Sequence, residues 1–435
     1  MKRDRKKLLT LSMLVLTVAV VGVLVGRWSV SLVNAEVEGY ENIKTFTEAL
    51  SIVKKNFVEE MKTKDLVYGA IRGMLTSLDP HSGFMSPEAY KEMQVDTKGE
   101  FGGVGIQIGI KDSILTVIAP IEDTPAYRAG IKAGDKILKI DDVNTRDIGL
   151  FDAVTKMRGP KGTPVKLNIF REGWKEPKDF IIQRDIIKIK SVKYKMLEEE
   201  IGYIKITQFQ EQTANDLSDA LEKLNTEKLH SLILDLRNDP GGLLNSAVDV
   251  SSQFLPPGKL VVYIKDRSGE KTEYRTGGNR PFYEKPTMAV LVNQGSASAS
   301  EIVAGALKDL RRAVIIGVQT FGKGSVQSVI PLSDGSGLRL TTARYYTPNG
   351  TSIQSTGISP DIIVKIEPKD GMKEHTVVRE RDLERHLKNE QEGEDSQWEE
   401  EKAPIEVSEK DDIQLQRAID LLKTLRIFKE VPKAA

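Results

Sequence analysis

The longest apolar stretch comes first. From Leu8 to Val25 the chain is apolar or small, broken only by Thr10, Ser12, Thr17 and Gly22, and Lys2, Arg3, Arg5, Lys6 and Lys7 precede it. As a helix at about 1.5 Å per residue this stretch spans ~27 Å, near the ~30 Å hydrocarbon core and longer than the ~7–15 apolar residues of a signal peptide. Residues 1–35 are therefore expected to form a signal anchor, a transmembrane segment with its basic flank in the cytoplasm and the rest of the chain outside it. Val33-Asn34-Ala35 resembles a small-residue cleavage site, so a form cleaved after Ala35 and secreted stays open. Phe46, Leu50, Val53 and Phe57 then mark one amphipathic helix, and Leu66, Ala70, Met74 and Leu78 a second. Helical hairpins of this kind pack against a partner subunit or against their own domain. Leu78-Asp79-Pro80-His81-Ser82-Gly83 reads as a turn, with Pro87 opening another short helix.

From Phe101 the texture changes to short β-runs and glycines. Phe101-Gly102-Gly103-Val104-Gly105-Ile106-Gln107-Ile108 leads into Ile114–Ile118, a short helix after Pro125, Gly134-Asp135-Lys136-Ile137-Leu138-Lys139-Ile140, a helix from Leu150 to Met157 and a strand from Val165 to Phe170. This order resembles a PDZ domain over about ninety residues. Backbone N–H groups around Gly102–Gly105 can cradle a peptide carboxylate, and the strand after them can accept the peptide as an added strand. Glycine permits that approach because it carries no side chain. Arg158 is placed either to sense the peptide terminus or to cap a helix end. An ordinary tight turn of a small barrel is the plainer alternative for the glycines.

After Lys188 the pattern becomes α/β. Strands are expected at Ile201–Ile206, Leu232–Leu236, Met288–Val292 and Ala313–Gly317, helices at Thr213–Leu224, from Leu243 and at Ser300–Leu310, and a hairpin from Leu260–Lys265 with Lys271–Arg275. Strand, Gly-rich or Ser-rich turn, then helix occurs twice, which predicts a mixed sheet with a site at the carboxyl ends of its strands. Between Glu390 and Asp412 there are 11 acidic and 2 basic residues, a solvated and partly disordered composition, before a final helix marked by Leu415, Ile419, Leu421, Leu422 and Leu425.

Composition narrows the chemistry. The 435 residues carry 63 Lys+Arg against 63 Asp+Glu, which argues against a nucleic-acid binder. Cysteine is absent, removing disulfides, thiolate metal sites and cysteine nucleophiles. His81, His230, His375 and His386 form no metal spacing, so neither a metal nor another cofactor is expected.

What remains is serine and lysine. Gly295-Ser296-Ala297-Ser298-Ala299-Ser300-Glu301 lets a serine sit at a helix N-terminus, where N–H groups and the dipole stabilise an oxyanion, although a Ser-rich helix cap explains the run as well. No G-x-S-x-G elbow and no suitably placed histidine accompany it, so the serine needs another base. Thr320-Phe321-Gly322-Lys323-Gly324-Ser325-Val326-Gln327 offers Lys323, whose pKa would fall on desolvation. Gly317, Gly322 and Lys323 have phosphate-loop spacing, but Gly324 stands where the metal-binding hydroxyl belongs and a strand follows in place of a helix.

The ordered set of a PDZ pattern, Arg237-Asn238-Asp239-Pro240-Gly241-Gly242, the Ser-Ala-Ser-Ala-Ser run and Phe321-Gly322-Lys323-Gly324 closely resembles the carboxyl-terminal processing peptidases, tail-specific serine proteases, from about Phe46 through Asp361. The resemblance implies Ser298 as nucleophile, Lys323 as general base, Gln327 as the residue orienting it, and the N–H groups of Gly242 and Ala299 as oxyanion donors. Asp309 matches an acid sometimes given as third member. Gln327 is preferred, because a carboxylate beside Lys323 would raise its pKa. Asp239 departs from the pattern, where asparagine is commoner. The fold class expected is mixed α/β, also describable as α+β: an anchor (1–35), an N-terminal helical region (36–95), a PDZ domain (96–185), a Ser-Lys protease core (186–366), and an acidic segment with a C-terminal helix (367–435). The expected partners are protein or peptide substrates with a free C-terminus bound at Phe101, Gly102, Gly103, Val104, Gly105 and Arg158, the membrane through the N-terminal helix, and a second copy. That homodimer is expected through the helices Phe46–Phe57 and Leu415–Leu425, which lack an obvious partner within the chain.

Overall fold

A computed structural model describes residues 40–197, 200–224, 229–366, 374–391, 402–404 and 411–430. The expected anchor at 1–35 and most of the acidic stretch lie outside these residues; among the described residues no helix is long and apolar enough to cross a membrane. The chain divides into two units, Met1–Met74 and Leu75–Ala435. In the first, a helix covers 40–56 and Thr63–Thr76 begins, and Tyr40, Ile43, Phe46, Ile52, Val53 and Phe57 are exposed.

The second unit is built on a six-stranded sheet in the order Val192–Met196, Ile201–Ile206, Ser231–Asp235, Thr287–Val292, Ala313–Gly317, Ile362–Ile363. The first pair is antiparallel and the remainder parallel. Because helices cover both faces, the central strands read as continuous apolar runs, and their alternation shows only in which layer each side chain joins. Leu232, Leu234, Met288, Val290 and Val292 pack with helices Thr213–Leu224, Leu244–Ser251 and Ala299–Asp309. Ile233, Ala289 and Leu291 point the other way, onto Leu415, Ala418, Ile419 and Leu422 of the helix Ile413–Glu430. The C-terminal helix therefore has its partner within the chain. Its apolar stripe covers the second face of the sheet, which corrects the expectation that it is left for a second copy.

A second, antiparallel sheet joins Gly83–Met85, Gly337–Tyr346, Leu260–Asp266 and Lys271–Arg275, with Ser325–Pro331 on the other edge of Gly337–Tyr346. Inserted before the core is a third sheet, ordered Ile106–Lys111, Ile114–Pro120, Lys136–Ile140, Pro164–Phe170, Lys178–Gln183. Val117, Ile137, Leu167, Ile169, Ala153 and Met157 fill its core. The chain enters through Glu100–Gly103 and leaves through Asp185–Lys188, which pair antiparallel. The strands Lys178–Gln183, Asp185–Lys188 and Val192–Met196 escape the sequence pattern because charged and exposed positions interrupt their short apolar runs, leaving one buried residue in each.

Candidate active site

Three neighbouring parallel strands, Ser231–Asp235, Thr287–Val292 and Ala313–Gly317, each end in one of the motifs singled out in the sequence. The loops Arg237–Gly242, Gly295–Glu301 and Phe321–Gly324 thus meet at the carboxyl edge of the sheet, where an open α/β sheet places its ligands.

The three serines of the middle loop have different roles. Ser296 Oγ donates to Leu236 O at 2.8 Å and Ser300 Oγ to Asp239 O at 3.0 Å, so these buried hydroxyls pin the turn to the neighbouring loop. Asn238 and Asn293 add a second pin, Nδ2 of Asn293 donating to Oδ1 of Asn238 at 2.8 Å. Ser298, half-buried between them, donates to no carbonyl among the described residues and precedes the helix Ala299–Asp309. Its backbone is held at φ 55° and ψ −113°, a region costly for any residue with a Cβ. Strain at the head of a helix is the arrangement that exposes a nucleophile at the top of an α/β sheet.

Beside it run Gly241 (φ 96°) and Gly242 (φ 146°). A Cβ at Gly241 would lie 2.8 Å from Ser298 Cβ, and one at Gly242 would lie 2.1 Å from Phe209 O, so only glycine fits at either position. Phe209 N donates to Gly241 O and Leu243 N to Phe209 O, which turns the Gly242 N–H to the other side. Neither it nor the Ala299 N–H has a partner among the described residues. Arg237 ties this loop down through Asp235 and Asp412, each at 2.7 Å. Asp239 is fully buried; its Oδ1 accepts from Gly241 N at 2.8 Å, while Oδ2 has no partner. Burial pushes its pKa up to about 7, against the opposing pull of the Gly241 N–H.

Glu301 joins the loops that carry Ser298 and Lys323. Its Oε2 accepts from Ser298 N at 2.8 Å and from Lys323 N at 2.9 Å, while Oε1 accepts from Gly322 N at 2.8 Å and from the Thr320 hydroxyl. Burial raises its carboxyl to about 7 despite these four donors. Lys323 is half-buried, and burial lowers its pKa, with Arg339 adding to the effect and Glu380, Glu301 and Asp79 opposing it. The flanking glycines let the loop approach the 354–357 segment: a Cβ at Gly324 would lie 2.4 Å from Gln354 N and one at Gly322 3.0 Å from Ser355 C. Among the described residues, no hydrogen bond joins Lys323 Nζ to Ser298 Oγ.

Gln327 lies two residues beyond Ser325, on the strand that follows the lysine loop, and its Nε2 donates to Ser325 Oγ at 2.9 Å rather than to Lys323. Asp309 ends the helix that Ser298 begins, about 16 Å away at the helical rise, where it accepts from Asn349 N at 2.9 Å. Sequence reasoning missed a set of residues around Lys323. His81 bonds the buried Glu380 at 2.7 Å, Gln354 Nε2 donates to Glu380 Oε1 at 2.9 Å, and Gln354 Oε1 accepts from Gly324 N at 3.0 Å. The turn at Asp79 also belongs here. Burial works to raise the Asp79 carboxyl pKa, yet hydrogen bonds from Ser82, His81 and Thr341 outweigh it and keep the group below its ordinary value. In the sequence this segment, Asp79-Pro80-His81-Ser82, reads only as part of a turn.

In the inserted domain, Ile106–Lys111 is the outermost strand of its sheet, so one of its edges is open. Gly102 and Gly103 pair with Ile186 and Asp185, and the chain breaks at Val104-Gly105 before the open strand begins. Gly105 has φ 79°, and a Cβ there would meet Thr124 at 2.4 Å. Arg158 closes the helix Leu150–Met157 beside this break. It stacks over Phe101, 4.6 Å from the ring centroid, and its Nη1 contacts Glu92 Oε2 at 2.5 Å, leaving Nε buried without a partner.

Comparison with known proteins agrees with this anatomy. Residues 200–364 match Peptidase family S41, residues 92–170 the PDZ domain, and residues 29–89 the Activating protease CtpB N-terminal domain. The Carboxy-terminal-processing protease of Bartonella bacilliformis is 45% identical over 395 residues, 90% of each chain. The Carboxy-terminal processing protease CtpA of Bacillus subtilis is 36% identical, over 82% of this chain and 77% of its own. Among solved structures, the photosystem II D1 C-terminal processing protease shares 31% identity over 74% of this chain and 93% of its own, with a TM-score of 0.43. The chain belongs to the carboxy-terminal processing proteases, serine peptidases of family S41.

Proposed function

We propose that the enzyme is an endopeptidase in which Ser298 attacks the scissile carbonyl, Lys323 is the neutral general base, and the N–H groups of Gly242 and Ala299 hold the oxyanion. The observation that carries this reading is the Glu301 carboxylate, which receives the backbone N–H of both Ser298 and Lys323 and so holds nucleophile and base around one anchor. Lys323 takes the Ser298 proton as the Oγ–carbon bond forms and returns it to the leaving amine; water then repeats the sequence on the acyl-enzyme. Burial makes the neutral amine accessible, because the ammonium form has lost much of its hydration.

Substrates are exported or membrane-associated proteins captured by their C-terminal tails. The tail adds to the open edge of Ile106–Lys111, with its carboxylate near Val104-Gly105. Two features favour a gate over simple tethering: Lys323 Nζ lacks a bond to Ser298, and Gln327 is turned to Ser325. Arg158, held by Glu92, exchanges that carboxylate for the peptide terminus, and the exchange shifts a resting site toward an aligned one. The segment 1–35 anchors the enzyme with its catalytic part outside the cytoplasm, and the exposed Phe46, Val53 and Phe57 serve pairing with a second copy. Cleavage of a peptide ending in an apolar residue with a free carboxylate tests the reading. It should be lost in Ser298→Ala and in Lys323→Ala, and slowed when the terminus is amidated; full cleavage by either variant contradicts it.

A further inference from the structure

Tyr345 is among the largest fully buried side chains in the protein, on the strand Gly337–Tyr346. Its backbone N–H donates to Gly324 O at 2.9 Å, which places it directly behind the lysine loop. The ring packs in the same cluster as Ala299 and Ile302, from the first turn of the helix that Ser298 caps. At the end of this ring the hydroxyl is buried and has no hydrogen-bond partner. The groups near enough to act on it are Ser298 and the Glu301 and Glu380 carboxylates.

An orphaned phenol is a poor choice for packing alone. Phenylalanine would fill the same space without burying an unpaired hydroxyl, and tyrosine hydroxyls inside proteins ordinarily find a partner. The serine near this hydroxyl is the one of the Ser-Ala-Ser-Ala-Ser run whose own hydroxyl is not spent on the neighbouring loop. We propose that the Tyr345 hydroxyl is a catalytic hydrogen-bond donor to Ser298 Oγ, engaged as that oxygen gains negative charge. This rests on Ser298 being the nucleophile.

Charge builds on Oγ twice. During attack the Ser298 proton moves to Lys323 Nζ while Oγ bonds to the carbonyl carbon, and in deacylation the carbon–Oγ bond breaks and Oγ recovers a proton from the lysine ammonium. In both steps the phenol donates a hydrogen bond and keeps its own proton. Burial, with the Glu301 carboxylate adding to it, holds the Tyr345 pKa well above its ordinary value, so the group is a donor and not a competing base. The oxyanion on the carbonyl is served separately by Gly242 and Ala299. Tyr345 thus supplies what neither lysine nor the amides supply, a donor to the attacking and departing oxygen.

The test is Tyr345→Phe in the full chain, with acylation and deacylation of Ser298 followed by rapid quench on a chromogenic ester. Both rates should fall by between about 10- and 100-fold, with KM for the ester unchanged. The melting temperature should stay level or rise, because the variant removes an unpaired buried hydroxyl. The pH at which activity rises should not move, since Lys323 remains the base. Acylation within about twofold of the parent overturns the proposal, as does a rate loss accompanied by a lowered melting temperature. A displaced pH profile also overturns it, by showing that the hydroxyl acts on Lys323. Site-specific 3-fluorotyrosine at 345 retains ring and hydroxyl but donates more strongly; it should accelerate acylation, and an unchanged rate counts against the role even if Tyr345→Phe does not fold. A parent protein that turns over the ester without forming an acyl-enzyme at Ser298 would instead reject Ser298 as nucleophile.

Discussion

Replacing Asp239 with asparagine isolates one buried charge. The carboxyl is fully buried, one oxygen accepts from Gly241 N and the other has no partner, so the neutral acid suits the site better than the anion. Its pKa is 3.8 ordinarily and about 7 in the folded protein. Between these values the unfolded chain releases the proton while the folded one keeps it, so the folded state binds more protons and stability falls as pH rises. A gap of about three pH units, at ~1.4 kcal/mol each, costs the folded protein up to about 4 kcal/mol above pH 7. The asparagine side chain would keep the acceptor for Gly241 N and never ionise. Guanidinium unfolding of parent and Asp239→Asn, followed by circular dichroism from pH 4 to pH 8.5, should show near-equal midpoints at pH 4, a growing advantage for the variant up to about pH 7, and a plateau beyond. Glu301, also raised to about 7, contributes the same slope in both proteins and cancels in the comparison. A difference independent of pH, or one favouring the parent at high pH, would refute the assignment of a protonated Asp239.

Activity should rise with pH as Lys323 loses its proton, with the midpoint below the ordinary lysine value, and Lys323→Arg should be nearly inactive because guanidinium cannot accept the proton; a working arginine variant would remove lysine from the mechanism. Glu301→Gln must turn an amide N–H toward either Ser298 N and Lys323 N or Gly322 N and Thr320, so kcat should fall at least about 100-fold and stability by roughly 2–4 kcal/mol, both readable from kinetics and melting. Glu92→Gln should free Arg158 and raise the response to a free-acid peptide added in trans, measured as turnover of a second short substrate; an equal response to amidated peptide would reject capture of the terminal carboxylate.

The elements that hold the site were legible because parallel, doubly covered strands read as short apolar runs: Ile201–Ile206 and Thr213–Leu224 have the expected bounds, and Thr287–Val292 begins one residue early. The three motif loops were legible for a related reason, since glycine was required wherever backbone met backbone, as at Gly241, Gly242, Gly322 and Gly324. What stayed hidden depends on pairings distant in sequence. Asp79 meets Thr341 and His81 meets Glu380, separations of 262 and 299 residues, and nothing in the local pattern of either segment marks the other. Tyr345 was equally silent, because a tyrosine in a β-run reads as packing until its hydroxyl is found without a partner. The C-terminal helix was misjudged for want of the same information: its stripe was visible, but the sheet face it covers comes from Ile201, Ile233, Ala289, Leu291 and Ile316, residues that the strand pattern assigns to a core without saying which layer.

Site-mapped phosphonylation tests the Ser298–Lys323 pair most directly. Folded enzyme treated with a serine-reactive phosphonate should gain a single adduct on Ser298, at a rate that climbs with pH. Ser298→Ala should gain none, and Lys323→Ala, still folded, should react at least about 100-fold more slowly. Labelling of Ser296 or Ser300, or a Lys323→Ala variant that reacts as fast as the parent, would contradict the account.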